Sequence, residues 1–291
     1  MIRLGTDTVV FAMDKNNTAV ASAKSGDQVI FETLDCFSNT VKTEDDVVSH
    51  IDMKRVNPAT GPLFIEGAQV GDTLKVTINA IKLETQGAVT ASPGFGQFGC
   101  DVTKEETAIC QVTDTHVLYK SLALPLRKMI GVIGTAPANE PISTGIPDKH
   151  GGNMDVTAVG EGASVYLPVN VDGALLAMGD VHATMGDGEV MGSGLEIPAV
   201  IDVTVEVIKD CLYPLPMIET KDKWITIGSH PSMEKATKLA LDQMVHFIQQ
   251  QSDLTFNQAG MLLSLAGDVI ASQLVNPSVT MRVEISKDIL S

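Results

Sequence analysis

From the N-terminus to about residue 228, the chain is a succession of short segments rich in β-branched residues, most of them separated by Gly, Pro, Asn or Asp. This spacing is typical of strands joined by turns. Apolar and polar side chains alternate in the longest segments, as they do in half-buried strands. We therefore predict a mainly β fold with a β-sandwich or jelly-roll-like body. The predicted strands cover residues 8–12, 28–34, 73–83, 107–113, 117–121, 165–169, 174–184 and 199–208.

The C-terminal quarter has a different pattern. Apolar residues recur at helical spacing over residues 233–247, which predicts an amphipathic helix. Thr255 and Gln258 stand in capping-box relation, and they predict the start of a second helix that runs through Val269. Residues 279–285 are predicted to form a closing strand.

The length and composition suit a globular protein with an aliphatic core. Of the 291 residues, 44% are hydrophobic and only 4% are aromatic, which is enough apolar material for a large core. We predict a β-rich body over residues 1–228 that carries the catalytic motifs. A smaller α/β part over residues 229–291, with two helices and a closing strand, is predicted to pack on that body.

The charge balance restricts the partners that the protein can have. There are 36 acidic and 20 basic residues, which gives a formal net charge of −16. A field of this sign repels phosphate backbones and anionic lipid surfaces, so we expect neither nucleic acid nor membrane as a partner. A small neutral substrate would be affected little, and a divalent cation would be attracted.

The lack of a recognisable secretory signal or membrane span, together with the spacing of the cysteines, predicts a cytoplasmic location. No basic region followed by an apolar stretch occurs at the N-terminus, and no apolar run approaches the roughly 18 residues of a membrane span. The four cysteines are scattered without a Cys-x-x-Cys pair, so we expect reduced thiols and no zinc finger. They are Cys36, Cys100, Cys110 and Cys211.

One segment with catalytic potential surrounds a predicted hairpin turn. Asp187 and Gly188 form a turn-type pair between two extended segments. Asp180 and His182 would share one face of the first strand, and a turn of even length would bring Glu189 to the same face. Two carboxylates and an imidazole on one face suit a divalent metal, with Glu189 free to move a proton. The alternative is a solvated hairpin with ordinary polar residues.

A second segment combines two glycines with polar residues. Gly151 and Gly152 permit positive φ values and a close backbone approach. His150, Asn153 and Asp155 flank them and supply donors and acceptors of the kind that hold a small polar substrate. The alternative is a long surface turn, in which Gly, Asn and Asp are common.

Other residues with catalytic potential lie outside these segments. Residues 94–99 match Gly-x-Gly-x-x-Gly, but the sequence after them looks β, so a loop bordering the active-site cleft is favoured over a dinucleotide site. Cys100 lies beside Asp101, whose charge disfavours a thiolate nucleophile, and we expect a bystander thiol. The sequence has no Gly-x-Ser-x-Gly elbow. Asp35 follows a predicted strand and offers a carboxylate that could reach the same cleft.

With these motifs in order over more than half of the chain, the sequence resembles the acetamidase/formamidase family. The matching stretches are TGPLFIEGAQVGDTL at residues 60–74, HGGNMD at 150–155, GAL at 173–175, GDVHA at 179–183 and GDGE at 186–189. The resemblance implies a mostly β fold related to sandwich domains, with additional α/β parts. It also implies hydrolysis of short amides such as formamide or acetamide, a bound divalent metal (zinc or calcium), and a homodimer or larger homo-oligomer. Met185 departs from the glutamine expected in many relatives, which bears on the preferred amide.

The resulting hypothesis is metal-assisted amide hydrolysis in which Glu189 accepts a proton from water and passes it to the departing ammonia. Two alternatives stay open: a hydrolase of another small C–N compound, and a β-sandwich that binds a metal or carbohydrate without turnover. The assigned residues are the metal ligands Asp35, Asp180 and His182, the catalytic residues Glu189, His150 and Asp155, and the substrate-binding residues Asn153, Gly151 and Gly152.

Overall fold

The computed structural model describes residues 2–211 and 213–290, and it confirms a mainly β protein with 41% strand and 14% helix. Within these ranges the helices are α1 (Met233–Gln251) and α2 (Phe256–Ala266), and neither has the length and apolarity that a membrane span needs. The strands are β1 (Ile2–Leu4), β2 (Val9–Val10), β3 (Ala12–Met13), β4 (Ala21–Lys24), β5 (Gln28–Thr33), β6 (Ala59–Glu66), β7 (Thr73–Leu83), β8 (Gln86–Ala91), β9 (Glu106–Val112), β10 (His116–Tyr119), β11 (Leu122–Pro125), β12 (Met129–Gly134), β13 (Ile142–Ser143), β14 (Gly151–Asn153), β15 (Ser164–Pro168), β16 (Leu176–His182), β17 (Ala199–Ile208), β18 (Met217–Glu219), β19 (Lys223–His230), β20 (Asp268–Gln273) and β21 (Val279–Ser286).

The strands form two large sheets and two smaller ones. The largest has nine strands in the order β1-β5-β17-β7-β15-β18-β19-β21-β20. A second sheet has the order β14-β12-β16-β6-β2, with β4 paired to β6 in parallel. A four-stranded sheet has the order β11-β10-β9-β8, and β13 pairs with β3. Three strands of the second sheet, β14, β12 and β16, carry the motifs of interest.

Side chains from both large sheets meet in one core, which is the packing expected of a sandwich. The bounds of β7 and β17 agree with the predicted strands at residues 73–83 and 199–208, and their alternating apolar residues face this core. Core residues of the nine-stranded sheet include Val29, Phe31, Leu74, Val76, Val165 and Ile201, and those of the second sheet include Leu63, Ile65, Ile130, Ile133, Leu176 and Met178.

The C-terminal strands extend the nine-stranded sheet. The predicted boundary between residues 228 and 229 falls inside β19, which pairs with β21 along its whole length. Helix α1 packs its apolar face on this part of the sheet, where Phe247 and Met244 are fully buried beside Val283. The closing strand therefore shares a sheet with the β-rich body, and helix α1 packs on that sheet.

The prediction that the second helix runs through Val269 is wrong. Helix α2 does begin after the capping box of Thr255 and Gln258, but it ends at Ala266. Gly267 caps it by donating its N–H to the carbonyl of Leu263. Val269 instead lies in β20, where it pairs with β21, because an edge strand of the large sheet is available to this segment.

Removal of the Phe31 side chain should destabilise the protein strongly. Phe31 is fully buried between the two sheets, so Phe31→Ala leaves a cavity and should lower the free energy of unfolding by about 3–5 kcal/mol. Phe98→Ala is the control, because Phe98 is half exposed and its truncation should change stability by less than about 1 kcal/mol. Denaturant unfolding measures both, and equal losses would contradict the assignment of Phe31 to the core.

Candidate active site

Strand β16 presents two of the predicted site residues on the face away from the core. Met178 and Val181 both pack in the shared core, although regular alternation would place residues three apart on opposite faces. Asp180 interrupts the alternation with a left-handed φ of 56°. Because of this interruption, Asp180 and His182 point to the face opposite Val181.

Three buried acids of this region have left-handed backbone conformations. They are Asp155, Asp180 and Glu189, with φ values of 47°, 56° and 48°. Such values are uncommon for residues other than glycine, and a held conformation of this kind costs of the order of 1–3 kcal/mol. Strain concentrated on acidic residues that share one centre indicates a site that the surrounding structure maintains for function.

The tight hairpin predicted at Asp187 and Gly188 is wrong, although Glu189 does approach His182. His182 pairs across an antiparallel bridge with Glu196, and Ala183 donates its N–H to the carbonyl of Leu195 at 3.0 Å. The connection is therefore a long loop, with Glu189 near its tip. Residues 186–189 do form a turn, in which Glu189 donates its N–H to the carbonyl of Gly186 at 3.2 Å. This turn does not join two paired arms, because Gly188 forms a parallel bridge to Gln273 at the end of β20.

The loop brings Glu189 into a cluster of metal-donor atoms. One atom each of Asp155, His182 and Glu189 lie within 4.8 Å of one another, and the same holds for Cys36, Asp180 and Glu196. His182 joins the two groups, since its Nε2 lies 2.9 Å from Oε1 of Glu196 and 3.6 Å from Oδ1 of Asp180. All six side chains are buried. We call these six residues the acid centre.

Asn153 holds two acids of the centre together. With its amide oriented to satisfy both ends, the nitrogen donates to Oδ2 of Asp180 at 2.9 Å and to Oδ2 of Asp155 at 3.0 Å. Its oxygen accepts from the amides of Asn57 and Asn276 at 2.8 and 3.2 Å. The polar groups of Asn153 are thus engaged inside the protein, where they fix the spacing of the two carboxylates.

Gly131, in the middle of β12, makes room for the same carboxylates. A Cβ atom at this position would lie 2.4 Å from Oδ1 of Asp155 and 2.6 Å from Oδ2 of Asp180. Both distances are far below van der Waals contact, so only glycine allows the two acids to sit against the strand. This requirement places β12 under the acid centre.

Burial and mutual repulsion shift the pKa values of these acids upward. Burial, followed by the charge of Asp180, raises the pKa of Asp155 to about 7. Burial and the charge of Asp155 raise the pKa of Glu189 well above its usual value. Burial raises the pKa of Glu196 to about 8, although His182 opposes this shift. Burial disfavours the imidazolium of His182, but Glu196 and Asp180 raise its pKa well above 6.5. Without a cation, the centre therefore retains protons at neutral pH.

Several buried polar atoms of the centre have no hydrogen-bond partner. They are Nδ1 of His182, Oδ1 of Asp180, Oε2 of Glu189 and Oε2 of Glu196. Unpartnered buried polar atoms are rare in proteins and call for an explanation such as a bound ion. Imidazole nitrogen, carboxylate oxygen and thiolate are all zinc ligands, so the residues fit a divalent cation.

A cleft of about 580 Å³ opens onto Asp180, Glu189 and Glu196. Its volume lies in the range of small-molecule sites. Apolar side chains such as Phe37 and Ile51 form part of its walls. The cleft therefore combines apolar walls with a polar base formed by residues of the acid centre.

The loop at residues 94–96 borders this cleft, as predicted. Gly96 packs tightly against the Glu189 loop, since a Cβ at this position would lie 2.6 Å from the carbonyl oxygen of Val190. Gln97 donates its N–H to the same carbonyl at 2.7 Å. The segment supports the Glu189 loop.

Comparison with known proteins identifies the group to which the chain belongs. The family model described as "Acetamidase/Formamidase family" matches residues 14–144 and 89–291. The chain belongs to the acetamidase/formamidase family. Acetamidase from Bacillus halodurans, whose crystal structure is known, has 46% sequence identity to this chain. The two structures superpose with a TM-score of 0.98 over 99% of this chain and 98% of that one. Acetamidase from Yersinia enterocolitica is 30% identical, with a TM-score of 0.95 over 100% and 93%.

Curated sequences give a more distant match. Formamidase from Methylophilus methylotrophus is 25% identical over 251 residues, which cover 66% of this chain and 62% of that protein. The chain spans less than two thirds of the length of the curated formamidases that it matches. The family resemblance drawn from the motifs is thus confirmed.

Some residues of the segment His150–Asp155 belong to the acid centre or contact it, and others serve only the packing of β14. Asp155 belongs to the acid centre, and Asn153 orients it. Gly151 and Gly152 instead allow β14 to pack on its neighbours, because Cβ atoms there would lie 2.3 Å from the carbonyl of Ile133 and 2.4 Å from that of Ile146. In the described part of the chain, neither glycine lines the cleft.

His150, the first residue of this segment, is buried outside the acid centre. It is 2% exposed, and neither ring nitrogen has a hydrogen-bond partner. A Cβ added to Gly152 would lie 3.0 Å from its Nε2, so the imidazole packs against the glycine turn. Among the described residues, His150 is in neither donor group of the acid centre.

Asp35 and Cys36 face different cavities. Cys36 lines the cleft and belongs to the acid centre, whereas Asp35 lines a neighbouring cavity and accepts the N–H of Asn39 at 2.7 Å. Among the described residues, the donor group around Asp180 therefore contains Cys36 where the sequence had suggested Asp35. Cys36 lies in a turn that begins at Asp35, where Ser38 donates its N–H to the carbonyl of Asp35 at 3.0 Å, and this turn directs the two side chains to different cavities.

Glu196 was missed by the sequence analysis. The signal available was a single charged residue in the apolar run Leu195–Ala199, but only the loop geometry reveals that it opposes His182. Met185 is buried and lines an apolar cavity of about 340 Å³ on the other side of the loop.

The buried imidazole of His150 should make stability depend on pH. Burial lowers the pKa of His150 from 6.5 to about 4, so between these values the unfolded chain binds a proton that the folded chain does not. The contribution of His150 therefore lowers the free energy of unfolding as the pH falls below 6.5. From pH 7 to pH 5 this group should contribute a loss of about 2 kcal/mol.

Urea unfolding of the parent and of His150→Gln at both pH values measures this contribution. The variant should lose about 2 kcal/mol less than the parent over the same pH step. An identical pH dependence in the two proteins would show that the imidazole does not stay neutral when buried.

Proposed function

We propose that this protein hydrolyses small, neutral aliphatic amides of the formamide and acetamide type to a carboxylate and ammonia. The observation that carries the proposal is the acid centre: a buried set of imidazole and carboxylate groups, several of whose polar atoms have no hydrogen-bond partner, at the base of a cleft of small-molecule size. The family and its acetamidase-named structures support the same reaction class.

The acid centre fits a divalent cation, and zinc suits its mixture of donors. Donors from both groups of the acid centre would hold the ion: His182 and Asp155 from one group and Asp180 from the other, with Glu196 and Cys36 beside Asp180. A bound cation would polarise the amide carbonyl and make water a stronger nucleophile at neutral pH. The cation would also offset the repulsion among the acids. When no cation is bound, protons on the carboxyl groups reduce this repulsion.

We take Glu189 to be the residue that moves protons. Its Oε2 is buried without a hydrogen-bond partner, and the residue lines the cleft. We assign to it the removal of a proton from the attacking water and its delivery to the departing nitrogen. Burial and the charge of Asp155 raise the pKa of Glu189, which makes its carboxylate a stronger proton acceptor toward the attacking water.

The charge of the site suits a neutral substrate and a charged product. An uncharged amide enters a cleft with acids at its base without electrostatic repulsion. The carboxylate product carries a negative charge and is repelled by those same acids, which should speed its release. A substrate that already carries a carboxylate would be disfavoured for the same reason.

One acid–base group is not enough to account for the lowering of the activation barrier that an enzyme usually achieves. Enzymes lower barriers by about 8–23 kcal/mol. One positioned acid–base group supplies about 10²–10⁴-fold, which is roughly 3–5.5 kcal/mol. The cation and the oriented binding of the amide would supply most of the remainder.

Ammonia release from a panel of short amides tests the proposal. Formamide or acetamide should be turned over, and Glu189→Gln should lower kcat by at least about 100-fold because the proton carrier is lost. Glu140→Gln makes the same chemical change at an exposed position and should leave kcat unchanged. Absence of ammonia from every amide, or full activity of Glu189→Gln, would refute the proposal.

Calorimetric titration of Zn²⁺ into chelator-treated protein tests the cation without relying on activity. Gly131→Ala should weaken binding by about 10- to 100-fold, because the added methyl group would displace Asp155 and Asp180. Gly186→Ala is the matched control, since a Cβ there has no neighbour within 4 Å. Equal affinity of Gly131→Ala and the parent would argue against a cation held by these two acids.

A further inference from the structure

Two residues before Glu189, the loop is held by a buried arginine. Arg282 on β21 is 2% exposed. Its Nη1 donates to Oδ1 of Asp187 at 2.9 Å and its Nη2 donates to Oδ2 at 3.0 Å. Thr157 adds a hydrogen bond from its hydroxyl to Oδ1 of Asp187 at 2.7 Å. Such a two-point pair fixes direction as well as distance.

Arg282 is itself held from the other side. Its Nε donates to Oε1 of Glu284 at 2.7 Å, and Nη1 also donates to Oγ of Ser272 at 3.2 Å. Glu284 in turn pairs with Lys223 at 2.5 Å. The guanidinium therefore has little freedom to follow a moving loop. A buried ion pair is weak evidence for stability, since desolvation opposes the attraction, and a geometric role explains it better.

The residue between Asp187 and Glu189 is tied to the same part of the fold. Gly188 donates its N–H to the carbonyl of Ser272 at 2.9 Å, and its own carbonyl accepts the N–H of Leu274 at 3.1 Å. Both residues before Glu189 are thus anchored to the C-terminal strands. Glu189 itself has the strained φ of 48°, which a free loop would tend to relax.

The C-terminal segment also reaches a second acid of the centre. Nδ2 of Asn276 donates to Oδ2 of Asp155 at 2.8 Å and to the carbonyl of Asn153 at 3.1 Å. Gln273, which is fully buried, accepts the N–H of Asn276 at 2.9 Å and so holds this turn. Two acids, Asp155 and Glu189, therefore depend on contacts from residues 272–282.

We propose that Arg282 and Asp187 are positioning residues for Glu189. The pair holds the loop in the conformation that directs the Glu189 carboxylate at the reacting amide. This inference rests on the proposed function, because it assumes that Glu189 moves the proton. It predicts that damage to the pair lowers kcat while the affinity for the amide is kept.

Asp187→Asn and Arg282→Lys test the pair with small changes of shape. Asparagine keeps the size of Asp187 without its charge, and lysine keeps the charge of Arg282 without the two-point geometry. Each should lower kcat for the best amide of the panel by about 10- to 100-fold, with KM changed less than about twofold. Glu219→Gln is the matched control. It breaks the half-buried pair with Lys287 and should leave both constants unchanged.

A double variant separates positioning from general structural damage. If Asp187 acts only through Glu189, Asp187→Asn should cause no further loss in the Glu189→Gln background. Activities are normalised to folded protein by circular dichroism. If either single variant does not fold, the other still provides the kcat and KM comparison.

The outcomes also separate this inference from the proposed function. Full activity of Glu189→Gln would overturn both. Loss of activity in Glu189→Gln, together with wild-type kcat in Asp187→Asn and Arg282→Lys, would overturn only the positioning role. Multiplied losses in the double variant would do the same, because they would mean that the pair acts independently of Glu189.

Discussion

Four carboxylates and one imidazole share a buried centre, and this concentration of like charge is the constraint on which the surrounding structure depends. Acids this close repel one another and lose solvation, so they need protons or a cation between them. The fold meets the requirement with precise backbone arrangements. Gly131 gives the acids space, the Asn153 amide bridges two of them, and left-handed residues aim them inward. None of these features is needed for a plain β-sandwich.

The sequence predicts the fold best where a strand is buried on one face. Residues 73–83 and 199–208 alternate in polarity, and both strands were located correctly. Strands β6 and β12 were missed because they are buried on nearly every residue and contain glycine, so they show no alternation and resemble turns. The end of α2 was misplaced because an open sheet edge recruited Val269, and sheet pairing of that kind is not visible in local sequence.

The site was predicted in part, and for a reason that differs from the real one. Short spacing and residue type brought Asp180, His182 and Glu189 together in the prediction, and they do lie together. The cause is a long loop anchored elsewhere, whereas the prediction relied on a tight turn. Cys36 and Glu196 escaped notice because their proximity arises only when distant segments fold together. The roles assigned to these residues stay predictions.

The acid centre and the residues that support its loop are spread from Cys36, near one end of the chain, to Arg282, near the other. This distribution limits how the centre could be transferred to another protein. An engineer who wished to transplant this centre onto a smaller scaffold could not excise a compact motif, because its supports come from nearly the full length of the polypeptide. The same arrangement means that splitting the chain at a loop between Asp155 and Glu196 would place acids of the centre on different fragments, so that reassembly of the two fragments would be required before those acids could meet again.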